Sequence, residues 1–154
     1  MNGPSMDRTL IVASLRATPS LLRLLSADCT AEQAWNPPTP GEWSIAEVVR
    51  HLLEGDRDTF LPRLRRMRAE TRPVFESTRP APGDRSDLKT LLDAFEAARR
   101  QAVELLSGLD GEGWRREGVS PSRGAVTVEG YARTMAAHDT EHLRQIHDVR
   151  TVLG

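Results

Sequence analysis

The sequence predicts an all-α protein, a bundle of four long helices. Apolar residues recur at helical spacing in four long segments. Clusters of proline and glycine separate those segments, and no stretch alternates apolar and polar residues in strand fashion for more than a few positions. At 154 residues the chain fits one domain, spanning 1–154. With 38% hydrophobic and 28% charged residues it has the balance of a chain that buries a core.

The first helix is expected from about Met6 to Ser26, with Leu10, Ile11, Leu15, Leu21, Leu22 and Leu25 as its apolar set. Pro19 falls inside it and should kink or divide it. Ala31 to Trp35 suits one short turn. The run Asn36-Pro37-Pro38-Thr39-Pro40-Gly41 makes a stiff connector, because each proline fixes its own φ and restricts the residue before it. Ser44 followed by Glu47 is a capping-box pattern and starts a second helix at Ile45. That helix should run to about Arg68, with Pro62 as a kink. The residues Arg63, Arg65, Arg66 and Arg68 read as a solvated face at a helix C-terminus rather than an anion site.

Glu70 to Arg85, with Pro73, Pro80, Pro82 and Gly83, is expected to be a long loop within the domain. A third helix is expected from about Asp87 to Leu106. Gly108 to Gly124 is turn-rich, with Trp114 tucking onto the bundle. The last helix begins after Thr127 and continues to about Val152.

Composition excludes several classes. Lys+Arg is 21 and Asp+Glu is 22, so no basic excess marks nucleic acid as a partner. No apolar run approaches the roughly 18 residues of a membrane span, and the first residues lack a signal pattern. A cytoplasmic protein is expected. A single cysteine, Cys29, cannot form an internal disulfide and suits a small buried role better than a nucleophile.

The chain has four histidines, His51, His138, His142 and His147. His138 and His142 lie about 40° apart on a helix, one turn from each other. Tyr131, Met135, Val149 and Val152 fall within about 60° of His138, so this stripe should face the core. His147 is about 180° away and should face solvent. Adjacent buried imidazoles are costly unless their nitrogens are satisfied, and one divalent ion would satisfy both. His51, among Val48, Leu52 and Leu53 on the capped helix, is a third candidate ligand.

Two segments carry a family resemblance. Gly41-Glu42-Trp43-Ser44-Ile45-Ala46-Glu47-Val48-Val49-Arg50-His51-Leu52 resembles the first signature of the DinB/YfiT-like superfamily, and His138-Asp139-Thr140-Glu141-His142-Leu143-Arg144-Gln145-Ile146 resembles the second. The Trp35–Pro40 region fits as well. The resemblance implies an up-down-down-up four-helix bundle and one metal, zinc or nickel, held by His51, His138 and His142. It also implies frequent homodimers, and relatives that are transferases or isomerases using a low-molecular-weight thiol.

Three imidazoles leave a coordination position open, whereas closed structural sites use four protein ligands. The expectation is therefore a metal-dependent enzyme acting on a small molecule. Thiol transfer is the first reading and metal-assisted hydrolysis the second. Asp58, Glu141 and Gln145 are the candidate catalytic or supporting residues, with Asp139 a further candidate to hold an imidazole N–H. Trp43 is expected to pack the bundle end. The other class left open is a non-catalytic bundle in stress response or as a dimeric interaction module, with its histidines sealed.

Overall fold

The computed structural model describes residues 4–79, 83 and 85–153. Among these, four long helical units form the bundle: α1 (Pro4–Leu25), α3 (Ile45–Glu54) continued through a π-turn (Gly55–Phe60) into α4 (Leu61–Ala69), α5 (Leu88–Ser107) and α7 (Val128–Leu153). Two five-residue helices, α2 (Ala31–Trp35) and α6 (Gly111–Arg115), and a hairpin of β1 (Glu117–Ser120) with β2 (Gly124–Thr127) fill the connections. Pro80 and Pro82 of the expected loop lie outside the described residues. Among the described residues, no helix is long and apolar enough to cross a membrane.

Interhelical bonds fix the directions. Arg8 pairs with Glu129, Thr18 with Asp139, and Arg150 with the Ala27 carbonyl, so α1 and α7 run parallel. Arg23 near the end of α1 meets Asp93 near the start of α5, so these two are antiparallel. Asp56 with Arg99 and Arg65 with Gln101 set α3–α4 parallel to α5. The bundle is up-down-down-up. α1 packs on α5 and α7, and α3 packs on the same two, so the first and last long connections cross a diagonal of the ring.

The capping box forms at Ser44, whose hydroxyl accepts from the Glu47 N–H at 3.2 Å while the Glu47 carboxylate accepts from the Ser44 N–H at 3.1 Å. A cap of this kind is worth about 1 kcal/mol, and it fixes the start of the helix that carries His51. Pro19 neither divides nor ends α1. Its missing N–H leaves the Leu15 carbonyl without its helical donor, and the Arg99 guanidinium donates there instead, at 3.1 Å.

The expected kink at Pro62 is a π-turn one turn earlier. The Leu61 N–H reaches the Asp56 carbonyl, five residues back. The extra residue in that turn shifts the helical phase, and Asp56 turns into the core.

The apolar core has two parts. One gathers Leu15, Leu64, Ala102, Leu106, Trp114, Tyr131 and Met135. The other gathers Leu22, Ile45, Val49, Leu52, Phe95 and Ile146. Three members of the sequence-derived apolar sets stay outside both: Leu10, Leu21 and Val152 are 59%, 41% and 65% exposed. The hairpin also departs from expectation. Its strands are four residues each and contain glycine, too short to show alternation. At Gly118 a Cβ would lie 2.7 Å from the buried Phe75 ring, so β1 passes where only glycine fits.

Candidate metal centre

α3 and α7 bring three imidazoles to one point. His51 sits on α3 seven residues past its Ser44 cap, and His138 and His142 lie one turn apart on α7. The Nε2 of His138 is 3.1 Å from that of His51 and 3.0 Å from that of His142. The three potential donor atoms lie within 4.8 Å of one another. His142 is 8% exposed and the other two rings are half-buried. His147 is exposed, as the helical arithmetic predicts.

The rings are held as neutral donors. Burial, then the neighbouring imidazoles, pushes the His138 pKa down to about 4. Burial, then His142, lowers that of His51. The Gln145 side-chain oxygen stands 2.8 Å from His142 Nδ1. An amide oxygen only accepts, so Nδ1 carries the proton and Nε2 keeps its lone pair.

The cluster is reachable from two sides. On the His142 side is a groove of about 700 Å³ whose lining includes Trp43, Glu141, His142, Arg144, Gln145 and Asp148. On the His51 side is a cavity of about 150 Å³ whose lining includes Glu54, Asp58, Thr59 and Thr78. Trp43 does not pack the bundle end. It is 40% exposed, its ring centroid lies 4.9 Å from that of His51, and it stacks over His142 at 6.3 Å. A second large groove, about 620 Å³ between α1 and α5, has no histidine in its lining, so size alone does not mark the site.

The supporting candidates separate. Gln145 touches a site imidazole directly, and Glu141 lies exposed at the groove. Asp58 is exposed and paired with Arg57 at 2.9 Å. Asp139 turns away from the imidazoles into the core, where it meets Arg99. Asp56 and Arg99 do not stand out in the sequence. A charged residue spaced among apolar ones on a helix face is a faint signal, and for Asp56 the π-turn hides even that.

Most of the arginine run is used inside the fold. Arg63 donates to the Tyr131 hydroxyl at 2.6 Å and to the Glu76 carbonyl at 2.7 Å, and Arg66 pairs with Glu70 at 2.8 Å. Cys29 is half-buried, and burial raises its pKa, the opposite of an activated thiol.

The sequence profile of the DinB superfamily matches residues 14–146. The chain belongs to the DinB superfamily. A Geobacillus thermodenitrificans protein named "Putative metal-dependent hydrolase" is 30% identical over 98 residues, or 64% of this chain. The match spans 52% of that relative, about half its length. The solved structure of YfiT from Bacillus subtilis, described as "a probable metal-dependent hydrolase with an unusual four-helix bundle topology", superposes with a TM-score of 0.82 at 18% identity, covering 96% of this chain and 88% of YfiT. TT2238, "a four-helix bundle protein", superposes with a TM-score of 0.66 at 20% identity, covering 92% and 98% of the two chains. At these identities the two structures speak to the fold.

Proposed function

We propose that this DinB-superfamily member is a divalent-metal-dependent hydrolase of a small molecule held in the Trp43 groove. His51, His138 and His142 are the ligands, and zinc or nickel is the ion. The observation that carries this reading is the convergence of three neutral imidazole nitrogens on one point beside an open groove.

The donor set fits such an ion. Tetrahedral zinc with nitrogen at about 2.0–2.1 Å has its ligand atoms roughly 3.3 Å apart. The two closest pairs here are 3.1 and 3.0 Å apart. When bound, the ion supplies Lewis-acid activation of water or of a substrate oxygen. The chain's own groups do the rest. Gln145 holds the His142 tautomer. Trp43 offers an apolar wall on which an organic substrate can lie. Glu141, exposed at the groove, is the candidate to accept a proton there, whereas Asp58 faces the smaller cavity and is tied to Arg57.

The name of the Geobacillus relative supports hydrolysis. Thiol transfer remains the second reading, because a groove of about 700 Å³ also admits a low-molecular-weight thiol beside its acceptor. A sealed, non-catalytic site is disfavoured by that same opening. The test is turnover of nitrophenyl esters and phosphates, and of a chlorinated aromatic electrophile with small thiols, before and after chelation. Metal-dependent turnover that disappears in His138→Ala supports the reading. Turnover indifferent to chelation overturns it. The homodimer that the family resemblance implies is checked by sedimentation velocity.

A further inference from the structure

We infer that Arg99 is the positioning residue of the histidine cluster: it ties the helix that carries His51 to the helix that carries His138 and His142. Its guanidinium donates to Asp56, five residues after His51, at 2.7 and 3.1 Å. It donates to Asp139, the residue after His138, at 2.5 and 2.9 Å. The fifth N–H goes to the Leu15 carbonyl at 3.1 Å. Thr18 closes the arrangement with a bond to Asp139 at 2.7 Å. All five guanidinium donors are therefore used.

The location makes this more than an ion pair. Each long helical unit contributes one residue to the node: Thr18 from α1, Asp56 from the π-turn, Arg99 from α5 and Asp139 from α7. Along every helix the node falls between the two apolar clusters, as between Leu15 and Leu22, or between Phe95 and Ala102. It is a polar waist across the bundle, at the level where the imidazoles meet. Arg99, Asp56 and Asp139 are each 2% exposed, and every buried side-chain nitrogen and oxygen among the described residues has a partner.

A buried charge network of this kind is seldom a good source of stability, because desolvation offsets the attraction. Rigid geometry is what it provides. The fork fixes the spacing and rotation of two helices within one turn of the ligating residues, and α5, which gives no ligand, supplies the tie. Asp56 and Asp139 against one Arg99 also leave a formal charge of −1 beneath the imidazoles, which suits a cation above.

The consequence for metal affinity rests on the proposed function; the consequence for ring geometry does not. The test uses Arg99→Lys, which keeps the charge but cannot bridge both carboxylates with a planar fork. Two quantities are read on folded protein: zinc affinity by chelator competition, and the imidazole ¹⁵N tautomer pattern of the metal-free protein. The expected result is an affinity lower by about 10–100-fold, the range for outer-sphere partners of metal ligands, and a changed tautomer pattern for His138 and His142. A folded Arg99→Lys with the parent's pattern and affinity overturns the inference. If Arg99→Lys does not fold, the triple variant Asp56→Leu/Arg99→Met/Asp139→Leu, which removes the buried charges together, decides by the same two readings. A parent that binds no zinc sinks the proposed function, and the tautomer pattern alone then decides the inference.

Discussion

Removing the Gln145 amide isolates the contact that orients a single imidazole. In Gln145→Leu the His142 Nδ1–H loses its acceptor at 2.8 Å. A buried donor left unsatisfied costs about 1–3 kcal/mol. Here the cost falls at the low end, because Gln145 borders the groove and water can reach the vacated position. About 1.4 kcal/mol corresponds to a tenfold change. Zinc affinity should therefore fall about tenfold, the lower bound for such partners, while the helical content stays that of the parent. Gln145→Glu keeps an acceptor and adds negative charge, so its affinity should equal or exceed the parent's. Chelator competition at fixed pH measures both. An unchanged affinity in Gln145→Leu, or a weaker one in Gln145→Glu, refutes the assignment of Nδ1–H as donor and Nε2 as ligand.

Three further outcomes are expected. Trp43 lies beside His51 and His142, so nickel or copper binding should quench tryptophan fluorescence, and Trp43→Phe should remove most of the quenching although Trp35 and Trp114 remain. The metal-free protein should lose stability on acidification. His138 is lowered from 6.5 to about 4, and His51 is lowered as well, so between those values the unfolded chain binds more protons, and urea midpoints should fall as pH drops from about 6.5 toward 4. Asp56, raised by burial, works against that trend at its acid end. Gly118→Ala should destabilise by about 1–3 kcal/mol in thermal melts, because its Cβ meets the Phe75 ring at 2.7 and 2.8 Å; a neutral result would mean that the hairpin shifts freely.

The sequence carries the ligands more clearly than their support. His138 and His142 are legible because an i, i+4 pair on a core-facing helix stripe is a local pattern that survives tertiary packing. His51 is legible because the Ser44–Glu47 box fixes where its helix begins. The family resemblance then joins two segments that periodicity cannot.

The hidden parts depend on departures from ideal helices. Pro19 reads as a break, yet the carbonyl it frees becomes an acceptor for Arg99. The π-turn defeats the 100° rule after Gly55, so the arithmetic that places Asp58 on the His51 face points to the wrong aspartate, and Asp56 is the buried one. Trp43 escapes prediction for a different reason. Its neighbours include a residue of α7, and nothing in the segment around it says which end of which helix it will meet.

The central claim is that His51, His138 and His142 hold one ion, and equilibrium dialysis of untagged protein against zinc and nickel tests it most directly. About one ion per chain is predicted for the parent, with saturable binding abolished or greatly weakened in a folded His142→Ala. No saturable binding in the parent, or undiminished binding in His142→Ala, contradicts it.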